Sequence, residues 1–262
     1  MSYYRDKIIR KLEERLRRFE REYRMRIKDS DEREIVEEVF DKTTLLTLYQ
    51  LMNAGYIDEL NGVVSAGKEA RVYSGVDKDG NPIAVKIFLI LTSEFRRGRL
   101  KYIIGDPRFE GIYSSPMKLV YAWASKEYKN LVEAYNAGVY VPKPIAYKKN
   151  IIVMEFIGEN FTPAPLLKDY PKLSKFILYQ ILRQIRILYN KAKLVHADLS
   201  EYNIFYFKRK PILFDFGQAV IRDHPMSEEF LIRDVSNILY FFRSRRIEVP
   251  TLDDALEYVK SW

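Results

Sequence analysis

Two short segments of the chain carry the residue types that phosphoryl chemistry requires: HADLSEYN at 196–203 and FDFG at 214–217. In the first, Asp198 is placed to accept or orient the proton of a hydroxyl group, and Asn203 can bind a metal ion. In the second, Asp215 adds a carboxylate, and Mg²⁺ prefers such oxygen ligands. A predicted strand pair between the segments would bring the three side chains together. The pattern indicates phosphoryl transfer assisted by a divalent cation.

A lysine and a glutamate occupy predicted apolar surfaces upstream of these segments. Lys86 stands in the middle of a strand predicted at residues 83–90, where the letters AVK match the pattern of a strand lysine that neutralises nucleotide phosphates. Glu127 falls on the apolar face of a helix predicted at residues 116–138. Because burial of an uncompensated charge is strongly unfavourable, we expect the two side chains to form an ion pair. Considered alone, such a pair would fit a purely structural role equally well.

The loop between the first two predicted strands reads SAGKEA at residues 65–70. Its backbone N–H groups, the Ser65 hydroxyl and the Lys68 ammonium could cradle a phosphate. It has one glycine, where the nucleotide-binding loops of protein kinases usually have three. By itself the segment indicates only a turn, so its interpretation depends on the residues described above.

The hydrophobic periodicity predicts an α+β fold with an antiparallel sheet part and a mainly helical part. The predicted helices cover residues 5–28, 31–53, 116–138, 172–190, 227–242 and 251–260. The predicted strands cover residues 57–64, 70–76, 83–90, 145–147, 151–156, 204–207 and 211–214.

Three regions follow from this order of elements. Residues 1–56 form a helical extension, residues 57–157 a sheet lobe with one embedded helix, and residues 158–262 a mainly helical lobe. The connector GENFTPAP, punctuated by glycine and proline, lies at the boundary between the lobes. Residues 92–115 are polar and basic without a clear period, which predicts a flexible insertion in the sheet lobe.

The composition of the 262 residues excludes several classes of protein. Cysteine is absent and histidine occurs twice, which excludes disulfide scaffolds, thiol catalysis and zinc sites of Cys and His. We expect His196 to pack and to bond backbone rather than to transfer protons. The N-terminal residues are charged where a signal peptide would be apolar, and no stretch is apolar enough to cross a membrane. These features predict a cytoplasmic protein.

The formal net charge of +8 suggests an anionic partner. Two stretches concentrate the positive charge: RRGRLK at residues 96–101, and residues 172–193, which contain six basic residues and no acid. We predict contacts with nucleic acid on these stretches. The alternative is that the basic helix face is only a solvated surface.

At its motifs the chain resembles the RIO family of atypical protein kinases, most closely the type-one branch, over roughly residues 57–245. SAGKEARVY is similar to the phosphate-binding loop of that branch, GDPRFEGI to its insertion, HADLSEYN to its catalytic loop, and DHPMSEEFLIRD to the segment after its metal-binding Asp. The insertion and the last segment are specific to the branch, whereas the catalytic loop is shared more widely.

The resemblance implies a two-lobed kinase fold, ATP and Mg²⁺ (or Mn²⁺) as reactants, and a role in maturing the small ribosomal subunit, with its precursor rRNA and ribosomal proteins as partners. It implies the following site residues: Ser65, Lys68, Lys86 and Glu127 at the phosphates; Met154, Glu155 and Ile157 at the adenine; Asp198 and Asp215 in catalysis; and Asn203 and Asp215 as metal ligands.

The chain also departs from the usual patterns. The branch more often has D-x-S-Q where this chain has FDFGQ, and Gly217 is expected to loosen that loop. The Arg of H-R-D and the A-P-E motif are missing, so the platform on which other kinases lay a peptide is not predicted. The reaction is therefore ATP hydrolysis, autophosphorylation, or transfer to a substrate presented by a large partner.

Two other interpretations compete with a RIO-type serine kinase or ATPase. The first is an RNA-binding ribosome assembly factor that uses ATP as a structural switch. The second is a small-molecule phosphotransferase of the aminoglycoside type, which shares H-x-D-x-x-x-x-N and the later Asp. The second needs an acidic pocket for a cationic substrate, and the acid-free residues 172–193 argue against it.

Overall fold

A computed structural model of the chain describes residues 42–67, 69–89, 102, 106 and 116–261. The predictions for residues 5–28, for Lys68, for residues 96–101 and for most of the insertion at 92–115 lie outside the described residues. No helix in the described ranges is long and apolar enough to cross a membrane.

The described residues form five α-helices, eleven strands and one 3₁₀ helix. The helices are α1 (Lys42–Asn53), α2 (Pro116–Asn136), α3 (Lys175–Asn190), α4 (Ser227–Ser244) and α5 (Leu252–Lys260), and the 3₁₀ helix is Leu167–Asp169. The strands are β1 (Glu59–Ala66), β2 (Ala70–Val76), β3 (Pro82–Phe88), β4 (Pro144–Lys148), β5 (Ile151–Glu155), β6 (Gly158–Glu159), β7 (Thr162–Pro163), β8 (Leu194–Val195), β9 (Ile204–Phe207), β10 (Lys210–Leu213) and β11 (Val220–Ile221).

The chain divides into two compact units. The first unit contains the described part of Met1–Leu91 together with Ile145–Phe156, and the second contains the described part of Thr92–Pro144 together with Ile157–Trp262. Helix α2 is therefore grouped with the helical unit, whereas the predicted ranges put it in the sheet lobe. The physical reason is a set of hydrogen bonds from α2 to backbone near Asp215, described below.

The first unit is built on a five-stranded sheet in the order β1-β2-β3-β5-β4. Its inward side chains share one apolar core with Leu48 and Leu51 of α1. Helix α1 ends at Asn53 and is followed by a left-handed Gly55 with φ of 79°, and the N–H of Tyr56 donates to the carbonyl of Leu51. Strand β2 has the predicted bounds, and the other strands of this unit differ by one or two residues.

The second unit buries the predicted apolar faces of its helices. On α3 the buried stripe comprises Ile177, Ile181, Ile185 and Leu188. This helix begins at Lys175 rather than at the predicted residue 172, because Ser174 is extended at ψ of 163°. On α2 the predicted inward face is buried throughout, and it comprises Val120, Ala124, Glu127, Leu131 and Ala134.

Two strand pairs were missed by the sequence analysis. β6 pairs with β7 inside the predicted connector, and β8 pairs antiparallel with β11 across the catalytic segments. Each of these strands is two residues long, which is too short to show an alternating pattern. The β8–β11 pair matters for the site because it closes residues 196–219 into a loop.

Candidate active site

The loop after β8 carries Asp198 and Asn203 and is held by an internal hydrogen bond. Nδ2 of Asn203 donates to the backbone carbonyl of Asp198 over 2.7 Å, and the N–H of Asn203 donates to the carbonyl of Ser200 over 3.0 Å. Because the amide nitrogen of Asn203 is engaged in this way, its orientation is fixed, and its oxygen is of the type that binds a metal ion.

The hairpin of β9 and β10 returns the chain from Asn203 to Asp215. Ile204 pairs with Leu213, and the N–H of Phe214 donates to the carbonyl of Asn203 over 3.1 Å. From the other side, Nε2 of Gln218 donates to Oδ2 of Asp198 over 2.8 Å. The structure therefore brings the Asp215 segment to the loop of Asp198 and Asn203.

Ala197 and Asp215, one in each motif segment, have a left-handed backbone although neither is glycine. Ala197 has φ of 63° and Asp215 has φ of 66°. Such conformations cost on the order of 1–3 kcal/mol each and persist where the surrounding structure imposes them.

Helix α4 holds the catalytic loop by its backbone. The carboxylate of Asp234, which is 1% exposed, accepts the N–H of Ala197 over 2.7 Å and the N–H of Leu199 over 2.9 Å. The neighbouring Arg233 donates to the carbonyl of Ala197, and Nδ2 of Asn237 donates to the carbonyl of Leu199 over 3.2 Å. Burial raises the pKa of Asp234 to about 7, and the two backbone N–H groups and Arg233 act against this rise.

The sequence analysis missed Asp234 although a signal was available. Asp234 stands among Phe230, Leu231, Val235 and Ile238 on the buried face of α4, and an acid on an apolar stripe indicates a specific partner. The same argument was applied to Glu127. The partners of Asp234 could not be deduced, because they are backbone N–H groups, which every residue except proline has.

His196 has a structural environment. Its Nε2–H donates to the carbonyl of Phe214 over 3.0 Å, and its ring lies 4.8 Å from the ring of Phe216. Burial lowers the pKa of His196 to about 4, although the Phe214 carbonyl and the charge of Asp215 act in the opposite direction. The imidazole is therefore neutral at physiological pH and packs against the segment of Asp215, as the sequence analysis expected.

Helix α2 holds the residues that follow Asp215. Nζ of Lys126 donates to the carbonyls of Gly217 over 2.9 Å and Ala219 over 2.6 Å, and Nδ2 of Asn130 donates to the carbonyls of Phe216 over 3.1 Å and Ala219 over 2.9 Å. Lys126 and Asn130 are 1% and 0% exposed. Neither side chain was singled out from the sequence.

The prediction that Gly217 loosens this loop is wrong, because neighbouring side chains fill the space around its Cα. A Cβ added to Gly217 would lie 2.9 Å from Nε1 of Trp123 and 3.0 Å from Oε2 of Glu127, so the position has no room for a side chain. The Gly217 carbonyl is also bonded to Lys126. The glycine permits close packing of the loop on α2 rather than extra freedom.

The predicted phosphate-binding residues of the first unit lie on or beside its sheet. Lys86 is buried in β3, with Nζ 5.0 Å from the ring centroid of Phe88, and Ser65 is exposed near the end of β1. The turn after Ser65 is closed by the N–H of Gly67, which donates to the carbonyl of Ala70 over 3.0 Å, and by Arg71, which donates to the carbonyl of Gly67.

The predicted adenine-binding residues lie at the end of β5. Met154 pairs with Ala84 and Glu155 with Ile83 of β3, and the buried Ile157 accepts the N–H of Ala164 at its carbonyl over 2.9 Å. Ile157 is also the residue at which the chain enters the second unit. The roles of Met154, Glu155 and Ile157, and the pairing of Lys86 with Glu127, stay predictions.

The donor set near Asp198 fits a hard divalent cation that also binds phosphate. Among the described residues there is no group of three or more His, Asp or Glu side chains that could hold a metal ion. Asn203 and Asp215 supply one amide and one carboxylate. Mg²⁺ in nucleotide sites is typically bound by one or two carboxylates together with substrate phosphates, so this small set is adequate.

These features are typical of a protein-kinase-like phosphotransferase: a buried strand lysine in an antiparallel sheet, and an Asp and an Asn in one loop followed by a second Asp after a hairpin. The family model described as the RIO domain matches residues 71–255. The match covers more than half of the chain, and the chain belongs to this family.

Several relatives are named as kinases of this family. RIO-type serine/threonine-protein kinase Rio1 of Haloferax volcanii is 42% identical over 238 residues, which are 91% of this chain and 81% of the relative. Rio1 of Methanocaldococcus jannaschii is 39% identical, over 87% of this chain and 80% of the relative. Human serine/threonine-protein kinase RIO1 is 37% identical over 97% of this chain, which spans 45% of the human protein. These relatives place the chain among the RIO-type serine/threonine-protein kinases, as the sequence predicted.

The Rio2 kinase of Chaetomium thermophilum is similar in fold. Its complex with ADP, Mg²⁺ and phosphoaspartate matches with a TM-score of 0.60 at 24% identity, over 83% of this chain and 66% of that chain. A second crystal structure of this kinase gives a TM-score of 0.61 at 23% identity. This likeness confirms the predicted α+β, kinase-like fold.

Proposed function

We propose that the chain binds ATP with Mg²⁺ and transfers the γ-phosphoryl group to a serine of a partner protein, to one of its own residues, or to water. The observation that carries the proposal is the arrangement around Asp198: its carboxylate is bonded by Gln218, its carbonyl by Asn203, and Asp215 lies one hairpin away. The names of the relatives support the same class of reaction.

Asp198 acts on the acceptor in this proposal. The bond from Gln218 sets the orientation of the Asp198 carboxylate independently of any substrate. As the acceptor oxygen forms its bond to the γ-phosphorus and the bond to the ADP oxygen breaks, the hydroxyl proton passes to Asp198. The catalytic loop contributes position and charge, and the proposal requires no covalent enzyme intermediate.

Asn203 and Asp215 would hold the cation through amide and carboxylate oxygens. Bound Mg²⁺ would supply charge neutralisation on the phosphate oxygens. The left-handed backbone of Asp215 and the bonded amide of Asn203 fix both donors before nucleotide binds. Lys86 contributes a cation for the phosphates, Ser65 and Lys68 are proposed as further phosphate contacts, and Met154, Glu155 and Ile157 remain assigned to the adenine.

We further propose that the acceptor belongs to a precursor of the small ribosomal subunit, in the cytoplasm. The resemblance of the sequence to the type-one branch supports this partner. The acid-free stretch also offers exposed positive charge for rRNA, at Lys172, Lys175, Arg183, Lys191 and Lys193. Lys175 already pairs with Glu248 over 3.2 Å, so it is expected to contribute least.

The test is incubation with γ-labelled ATP and Mg²⁺, with and without small-subunit precursor particles, followed by separation of free phosphate, labelled chain and labelled particle protein. The dominant product identifies ATPase, autokinase or kinase activity. Hydroxylamine treatment of the labelled chain separates an acyl phosphate from phosphoserine, which is relevant because the Rio2 complex contains phosphoaspartate. No labelled product in any fraction would contradict the proposal.

A further inference from the structure

Helix α2 presents two adjacent turns of buried polar side chains to the four residues that follow Asp215. Lys126 and Asn130 together donate four hydrogen bonds to the carbonyls of Phe216, Gly217 and Ala219. Both donors come from the same helical face, because they are four residues apart. A single rigid element thus sets the path of the backbone directly after the predicted metal ligand.

The two side chains have the hydrogen-bond donors needed to fix backbone carbonyl groups; we refer to Lys126 and Asn130 together as the clamp. Lys126 is a cation with 1% exposure, and its Nζ lies 5.0 Å from the ring centroid of Trp123. An ammonium group has three donors and no acceptor, so it can donate to several carbonyl groups at once. Its hydrogen bonds are stronger than neutral ones because the donor is charged. Asn130 bonds the Ala219 carbonyl that Lys126 also bonds, which fixes that group from two directions.

The conformation of Asp215 gives this clamp a consequence for metal binding. Asp215 has φ of 66°, a backbone state that a non-glycine residue keeps only when its surroundings impose it. The carbonyl of Phe216, one peptide unit beyond that of Asp215, accepts a hydrogen bond from Asn130. Side chains that orient a metal ligand without touching the metal typically change metal affinity or activity by about 10- to 100-fold when they are removed.

We propose that Lys126 and Asn130 are positioning residues, which align the carboxylate of Asp215 for the divalent cation and so make α2 part of the metal site. The proposal rests on the proposed function, since it assigns Asp215 to a nucleotide-bound cation. Helix α2 would then have two roles, because Glu127, which follows Lys126, is predicted to act at the phosphates.

The experiment compares Lys126→Met with Lys126→Arg and with Lys129→Met. Met keeps most of the unbranched side chain and removes its donors, and Arg keeps donors and the charge. Lys129 is an exposed lysine of the same helix that serves as a matched control. Mn²⁺ affinity is measured by electron paramagnetic resonance with a non-hydrolysable ATP analogue, and the affinity for the analogue is measured separately without metal.

We expect Lys126→Met to weaken Mn²⁺ binding by about 10- to 100-fold while the metal-free affinity for the analogue is unchanged. Lys126→Arg should restore most of the Mn²⁺ affinity, and Lys129→Met should match the unmodified chain. Equal Mn²⁺ affinity of Lys126→Met and Lys129→Met would overturn the proposal. A Lys126→Met chain that binds neither metal nor analogue would also overturn it, because that result indicates a structural role.

Asn130→Ser provides a second measurement that introduces no buried charge. It removes two of the four bonds, so its loss of Mn²⁺ affinity should be smaller than that of Lys126→Met and in the same direction. Trp123 reports independently on the loop, because Nε1 of Trp123 packs against Gly217 and Trp262 is the only other tryptophan. In a Trp262→Phe background, addition of Mn²⁺ and analogue should change Trp123 fluorescence in the unmodified chain and change it less in Lys126→Met.

The two possible failures are distinguishable. If the unmodified chain binds neither Mn²⁺ nor the analogue, the proposed function is wrong and the positioning role falls with it. If the unmodified chain binds both and Lys126→Met retains full Mn²⁺ affinity, only the positioning role is wrong.

Discussion

The two units hold their charged residues in different ways. In the first unit, Lys86 stands on a strand that pairs on one side with Val72 and on the other with Ile152. In the second unit, Asp198 and Asp215 lie on irregular backbone that is bonded by side chains of α2 and α4. A strand residue is placed by backbone hydrogen bonds that a side-chain substitution leaves intact, whereas an irregular loop depends on side chains far away in the sequence.

This comparison predicts where substitutions have effects. In the first unit, loss of the Lys86 charge should reduce activity, whereas substitution of its neighbours should have little effect on activity. In the second unit, substitution of buried side chains that contact no reactant should also reduce activity or metal binding.

Asp198→Asn should lower phosphoryl transfer by about 10²- to 10⁴-fold, because the amide cannot accept the acceptor proton. ATP binding should survive, since α4 holds the loop through the backbone of Ala197 and Leu199. Turnover with γ-labelled ATP and titration with a fluorescent ATP analogue measure the two quantities. Asp223→Asn, an exposed acid of the same unit, is the control. Normal turnover by Asp198→Asn would refute the catalytic assignment.

Asp215→Ala should reduce the affinity for Mg²⁺–nucleotide by about 100-fold or more, since even residues that only orient metal ligands typically contribute 10- to 100-fold. Metal-free nucleotide binding should change little. Isothermal titration calorimetry over a series of Mg²⁺ concentrations measures both, with Asp223→Ala as the control. A Mg²⁺ dependence equal to that of the unmodified chain would remove Asp215 from the metal site.

Lys86→Met should lower kcat/KM for ATP by about 10- to 100-fold, which corresponds to loss of one charge-assisted hydrogen bond to a phosphate. Lys86→Arg should retain more activity than Lys86→Met, because β3 places the charge through its backbone. Lys148→Met, an exposed lysine of the same sheet, should have no effect. Equal losses in the Arg and Met variants would show that the shape of the lysine matters more than its charge, against the comparison above.

His196 and Asp234 should give opposite pH dependences of the free energy of unfolding. The pKa of His196 is lowered from 6.5 to about 4, so the unfolded chain binds more protons in this range and stability rises with pH. The pKa of Asp234 is raised from 3.8 to about 7, so the folded chain binds more protons and stability falls as pH rises. Between about pH 4 and 6.5 the two contributions oppose each other, each by at most about 1.4 kcal/mol per pH unit.

Single substitutions should separate the two slopes. In His196→Gln, the free energy of unfolding should fall with rising pH more steeply than in the unmodified chain, and in Asp234→Asn it should rise more steeply. Urea unfolding across this pH range measures the slopes, which are informative even where both variants lose stability. Unchanged slopes in both variants would mean that the irregular loop does not perturb the groups around it.

The sequence analysis singled out the candidate site residues but missed the side chains that hold their loops in place. Asp198, Asn203 and Asp215 were found because their spacing is local and their chemistry is distinctive. Lys126 and Asn130 were not found, since their partners are carbonyl groups 86 to 93 residues away. A backbone carbonyl has the same identity at every position, so a sequence pattern does not show which one a buried donor will meet.

The secondary-structure predictions have the same limitation: they succeed for local patterns and fail for contacts between distant residues. The bounds of β2 and β9 were predicted correctly, because alternating or apolar runs of four to seven residues carry a period. The two-residue strands β8 and β11 were missed, although their pairing closes the loop that contains Asp198, Asn203 and Asp215. The contacts that bring these strands together join distant parts of the chain, and single-sequence patterns report only on near neighbours.

The hold of α4 on the catalytic loop has a consequence for which sequences the loop can accept. Asp234 and Arg233 bind the N–H and the carbonyl of Ala197, and every residue except proline has both groups. These hydrogen bonds therefore do not involve the side chain at position 197, where other kinases have arginine, or the one at position 198. The left-handed φ of 63° still limits which residues can stand at position 197. A substitution at position 198, in contrast, should leave the loop attached to helix α4.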